Sequence, residues 1–163
     1  MFRTASGKPV EINEIANRVI SYLLEDLEAE YEITVGTDSQ TSKETKMVEV
    51  IAVHRKGLGG IYFYNIDYIP RVHSLKQKIN EETSRSLTVA NTLLDAMEFS
   101  LLEKGHLLED LNVSFQIHCD IGKYGKTSVL IKEIVSWVTS QGYICMIKPD
   151  SYVASGIADK YSK

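Results

Sequence analysis

Between Tyr31 and Ile69 three strand-like segments follow one another with almost no chain between them, and this spacing limits the fold more than any other feature. Tyr31 to Thr37 reads as the first strand, Met47 to His54 as the second and Ile61 to Ile69 as the third. Thr41 to Lys46 is polar and turn-like, and Arg55-Lys56-Gly57-Leu58-Gly59-Gly60 is a glycine-rich hairpin signal. A parallel crossover needs about a dozen residues or more, so these strands are expected to pair antiparallel. Pro70 ends the third.

The remaining segments alternate. Met1 to Val10 reads as a flexible lead-in, and Glu11 to Glu30 as a helix with one apolar stripe through Ile12, Ile15, Val19, Leu23 and Leu27. Ser74 to about Lys104 is the longest helical pattern. With about 100° per residue, Ile79, Ser86, Ala90, Leu93 and Met97 share an arc. Glu82 lies at the edge of that arc and Glu81 faces away, so one of two adjacent glutamates turns toward the core. Val113 to Cys119 reads as a fourth strand, and period two extended through its end puts His118 and Asp120 on one face. Thr127 or Ser128 then caps a helix reaching about Gln141, Tyr143 to Ile147 is a short fifth strand, and Tyr152 to about Tyr161 is a last helix. The order α–βββ–α–β–α–β–α predicts an α/β fold: a mixed sheet with helices on both faces, in one domain spanning 1–163.

Both the first and the fourth strand run into an Asp beside a Gly: Val35-Gly36-Thr37-Asp38 and His118-Cys119-Asp120-Ile121-Gly122. Neighbouring strands would bring Asp38 and Asp120 to one edge. Two such carboxylates repel unless a cation or a shared proton lies between them, which is the start of a hard-metal site. Composition restricts the partner. The net charge is −4, so a large non-specific phosphate-binding surface is not expected and any basic patch must be local. The two cysteines, Cys119 and Cys145, lack zinc-site spacing and read as buried reduced thiols. The N-terminus has no signal-peptide core, and no apolar run approaches the ~18 residues of a membrane span, so a cytoplasmic protein without a membrane partner is expected.

The element order together with Asp38, Glu82, Asp120 and Asp159 resembles the ribonuclease-H-like fold. Gly36-Thr37-Asp38-Ser39-Gln40, Glu82-Thr83, His118-Cys119-Asp120-Ile121-Gly122, Gly125-Lys126-Thr127 and Lys148-Pro149-Asp150-Ser151-Tyr152 are similar to the YkuK-type bacterial family of predicted ribonuclease-H-like proteins. The resemblance spans about residues 31 to 160. It implies a five-stranded sheet in the order 3-2-1-4-5 with strand 2 antiparallel, plus the extra N-terminal helix. It also implies a nuclease acting on RNA, an RNA–DNA hybrid or structured DNA. Its cofactor would be Mg²⁺ or Mn²⁺, two ions roughly 4 Å apart. Asp38 would bridge the ions, Glu82 and Asp120 would hold one, and Asp159 the other.

Other residues admit two readings. His118 could move a proton or hold a carboxylate, or it could be a structural histidine. Lys123, Lys126 and Thr127 could contact a phosphate beside the acids, or simply form a capped loop. The Walker pattern fails there, because Asp120 occupies the place of its first Gly. Tyr62, Tyr64 and Tyr68 alternate along the third strand, as a base-stacking platform or as ordinary strand packing. The alternative to an enzyme is a catalytically weak binding module on the same fold.

Overall fold

The computed structural model describes residues 1–163. Its strands are β1 (Phe2–Thr4), β2 (Pro9–Val10), β3 (Tyr31–Thr41), β4 (Thr45–Arg55), β5 (Gly59–Ile69), β6 (Val113–His118) and β7 (Ile144–Met146). The helices are α1 (Ile12–Leu24), α2 (Leu75–Glu103), α3 (Ile131–Ser140) and α4 (Asp159–Ser162); a π-helical segment, Val153–Ala158, runs directly into α4. The strands form one sheet in the order β2-β1-β5-β4-β3-β6-β7.

Short links impose the expected antiparallel pairing of β3 with β4 and β4 with β5. β6 and β7 add in parallel beyond β3, reached through α2 and α3. The five strands β5-β4-β3-β6-β7 therefore reproduce the order 3-2-1-4-5. Two expectations need correction. The sheet has seven strands, because residues 1–10 are not a loose lead-in. They form the β1–β2 hairpin, which pairs with β5 and buries Val10. The first helix stops at Leu24, not at Glu30. Asp26 then accepts hydrogen bonds from the backbone N–H groups of Glu28 and Ala29, a turn an Asp favours over continued helix.

β3 and β4 are buried on both faces, as central strands covered on both sides must be. On one face Ile33, Val35, Ile51, Val53 and Phe63 pack against α1, α2 and α3 in the main core. On the other, Val48, Val50 and Ala52 pack against Val153 and Ala158, with Tyr62, Tyr64 and Tyr161 alongside. The close approach of the π-helical segment requires Gly36, where a Cβ would stand 2.8 Å from Ala154 N.

Candidate carboxylate site

The site forms where β6 stops short. β6 pairs with β3 only as far as Gly36 opposite His118, whereas β3 continues to Thr41. Beyond Gly36 the side of β3 that faced β6 is left open, and side chains from both sheet faces meet in this notch. Period two then distributes β3. Thr37 and Ser39 turn to α2, where Thr37 Oγ1 lies 2.8 Å from Ser86 Oγ and Ser39 Oγ donates to Glu82 Oε2 at 2.8 Å. Asp38, between them, turns to α4 and accepts from Ser162 Oγ at 2.8 Å.

Asp38 and Glu82 are each 4% exposed. Of the two adjacent glutamates, the helix phase turns Glu82 inward and leaves Glu81 partly exposed. Glu82 shares a narrow crevice with Thr37, Ser86, His118 and Asp120. Asp120 lies beyond the end of β6, so the period-two expectation that pairs it with His118 does not apply to it. Asp159 begins α4, and Ser162 Oγ bonds both Asp38 Oδ2 and the Asp159 carbonyl, tying these two acids to one turn. The four acids thus gather as two pairs, Glu82 with Asp120 and Asp38 with Asp159, on either side of the end of β3. No group of three or more acid, histidine or cysteine side chains converges on a common point for a metal ion.

Three lysines stand against these acids. Lys78 Nζ lies 3.6 Å from Glu82 Oε2, and Lys163 Nζ lies 2.9 Å from Asp159 Oδ2. Lys148 Nζ is 3.0 Å from Asp120 Oδ1, an ionic contact without hydrogen-bond geometry. Glu82 Oε1 is buried with no hydrogen-bond partner at all. Burial raises the pKa of Glu82 to about 8; the charges of Asp38 and Asp120 add to this, against Lys78 and Ser39. Burial likewise raises Asp38 to about 6, with Asp120 adding to it and Ser162 and Lys78 opposing. The hydrogen bond from Lys163 is the main cause holding Asp159 below the ordinary carboxylate value. A charged acid here lacks solvation, and a buried carboxylate oxygen lacks a donor; hard-oxygen donors in this condition fit Mg²⁺ or Mn²⁺ in kind.

His118 is occupied otherwise. It is buried, its Nδ1 accepts from the Val153 backbone N–H at 3.2 Å, and its Nε2 lies 3.2 Å from Gln116 Oε1. Tyr152 meets it edge-on. Burial lowers its pKa to about 4, so near neutrality it is uncharged. Of the two readings of His118, these contacts favour the structural one, a clasp that anchors the start of the π-helical segment. In the following loop Lys123 and Lys126 are exposed, while Thr127 Oγ1 accepts the Gly122 N–H at 3.1 Å and closes the loop on itself. Both cysteines are free, with Sγ atoms 4.0 Å apart.

Ser39, Ser162, Lys78 and Lys148 were not singled out by the sequence pattern, although Lys78 precedes Glu82 by one helical turn and Lys148 opens the quoted Lys148-Pro149 stretch. A hollow of about 510 Å³ lies elsewhere, lined by Leu102, Leu107, Leu111 and Phe115. No helix is long and apolar enough to cross a membrane.

Comparison with known proteins agrees with this architecture. The chain is 32% identical over 167 residues to the uncharacterized protein YkuK of Bacillus subtilis (strain 168), an alignment covering 100% of this chain and 97% of that one. No solved structure matches it. A family model described as ribonuclease H-like matches residues 14–163, and the chain belongs to that family.

Proposed function

We propose that this protein is a divalent-metal-dependent nuclease that hydrolyses phosphodiester bonds of RNA, an RNA–DNA hybrid or structured DNA. The observation that carries this reading is the pair of buried carboxylates, Asp38 and Glu82, whose proton affinities are raised by burial and by the charge of Asp120. Such a cluster persists at a cost unless a cation relieves it. Glu82 and Asp120 would hold one ion, Asp159 the other, and Asp38 would reach both. When bound, Mg²⁺ or Mn²⁺ supplies an activated water and neutralises charge on the leaving oxygen. The chain's own groups do the rest. Ser39 and Ser162 orient Glu82 and Asp38 through single hydrogen bonds. Lys78 and Lys148 supply fixed positive charge beside the reacting phosphate. Exposed Lys123 and Lys126 can take a neighbouring phosphate.

A second reading has its own observation. Each of Glu82, Asp120 and Asp159 already faces a lysine, which suits a nucleic-acid-binding module that needs no ion. Calorimetric titration of Mn²⁺ into the wild type and Asp38→Asn separates the two, with cleavage of labelled RNA, hybrid and branched DNA followed in the same samples. Binding and cleavage both lost in Asp38→Asn support the nuclease. No Mn²⁺ binding by the wild type supports the module.

A further inference from the structure

The sheet register continues the carboxylate site outward along one face. Asp38 lies opposite Val48 on β4, and Val48 lies opposite Ile66 on β5. The adjacent row is Gln40, Lys46, Tyr68, and the row on the other side is Gly36, Val50, Tyr64, Arg3. Directly paired residues point to the same face, so these rows form one surface. Strands are ~4.8 Å apart, which places Ile66 roughly 10 Å from Asp38. The π-helical segment and α4 cover only part of this face. Tyr161 stacks on Tyr64 with ring centroids 4.1 Å apart, and the cover ends there. Beyond it Ile66 is 38% and Tyr68 58% exposed.

Charge is divided across the sheet. On the open face, β1, β4 and β5 present Arg3, Lys46, Ile66 and Tyr68 and no acid, in a chain of net charge −4. The acids of β4 and β5, Glu49 and Asp67, lie on the opposite face, where Arg85 pairs with both. Lys160, exposed on α4, adds a cation at the border between this face and Asp159.

We propose that this open strip is a docking track for an unpaired nucleic-acid strand, with a base stacked on Tyr68 and Ile66 and phosphates against Lys46, Arg3 and Lys160, leading the strand to Asp38. It deepens the nuclease reading and rests on it for what happens at the acids. The exposed ring selects a single strand, because a base within a duplex has no free face to stack. The cations suit an anionic chain, and the strip is continuous with the acid site.

The test is fluorescence anisotropy of a labelled 20-nucleotide single strand in EDTA, so neither metal nor cleavage enters. We expect Tyr68→Ala to weaken binding about tenfold, within the range of one lost base stack, and Tyr68→Trp to restore it. Arg3→Ala with Lys46→Ala should flatten the salt dependence by about 1.4 units of slope, since each of the two lost phosphate contacts removes about 0.7. Tyr68 and Lys46 side chains hold no structural hydrogen bond, so circular dichroism should match the wild type. Wild-type affinity in Tyr68→Ala, tighter binding of the corresponding duplex, or no binding of the single strand would each overturn the track. The Mn²⁺ titration of Asp38→Asn reads the acids alone, so either proposal can fail without the other.

Discussion

Glu82 shows at one residue how burial and function oppose each other. Its folded pKa of about 8 exceeds its ordinary value of 4.5. The folded state therefore holds the proton more tightly than the unfolded chain. The resulting stabilisation is complete below pH 4.5 and is lost as pH rises through about 8. Asp38 acts in the same direction and is spent by about pH 6. His118 acts in reverse: its depressed value penalises folding as pH falls from 6.5 toward 4. Between about pH 7 and 9 the titration of Glu82 should cost the metal-free protein about 1 kcal/mol. Urea denaturation of the wild type and Glu82→Gln checks this; a curve equally steep in the variant would assign the effect to another group. Gly36 is a second residue where the site depends on one atom. Gly36→Ala drives a Cβ toward the Ala154 backbone N, which cannot swing aside as a side chain would. We expect a loss of about 1–3 kcal/mol and weaker Mn²⁺ binding, because α4 carries Asp159 and Ser162. Sequence reading reached Asp38 because the first strand runs into an Asp beside a Gly, and Glu82 because helix phase turns it toward the core. It did not reach Ser162, which bonds Asp38 from 124 positions away, because no local pattern encodes such a contact.

Among the elements, the most dependent on its neighbours is the C-terminal segment. α4 spans only Asp159–Ser162, too short to be helical alone. It is held by Tyr161, whose hydroxyl lies 2.6 Å from that of Tyr62 and whose ring stacks on Tyr64. Tyr161→Ala should therefore cost about 1–3 kcal/mol and selectively raise amide exchange over 153–162, while Tyr161→Phe keeps the stack and most of the protection. Uniform exchange across the sheet in the alanine variant would show that the segment is not a separate unit. The sequence indicated a last helix at the right place but not its π-helical first turns, which arise from packing on Gly36 and β4. The β1–β2 hairpin was missed for the same reason. Strands of three and two residues carry no periodicity, and only pairing with β5 makes them strands.

For the whole molecule, the decisive arrangement is the notch left where β6 ends, because it sets acids from both sheet faces beside one another. The strand order was legible, since short links leave antiparallel pairing as the simple solution for three consecutive strands. The notch was not, because it depends on β6 stopping at His118 while its partner continues. This arrangement predicts how pH and a divalent cation act together. Binding an ion at Glu82 and Asp38 must displace their protons, so affinity rises as pH passes about 6 and then about 8. The same rise in pH destabilises the metal-free protein. Mn²⁺ should accordingly raise the melting temperature more at pH 8 than at pH 6, by several degrees at saturating metal. Asp120→Asn removes a proposed ligand and one source of repulsion together. It should raise the metal-free melting temperature slightly and abolish most of the Mn²⁺-induced shift. A shift of equal size at both pH values, or one retained in Asp120→Asn, would place the ion away from the notch. No shift at either pH would mean that Lys78, Lys148 and Lys163 are the cations these acids were built to meet.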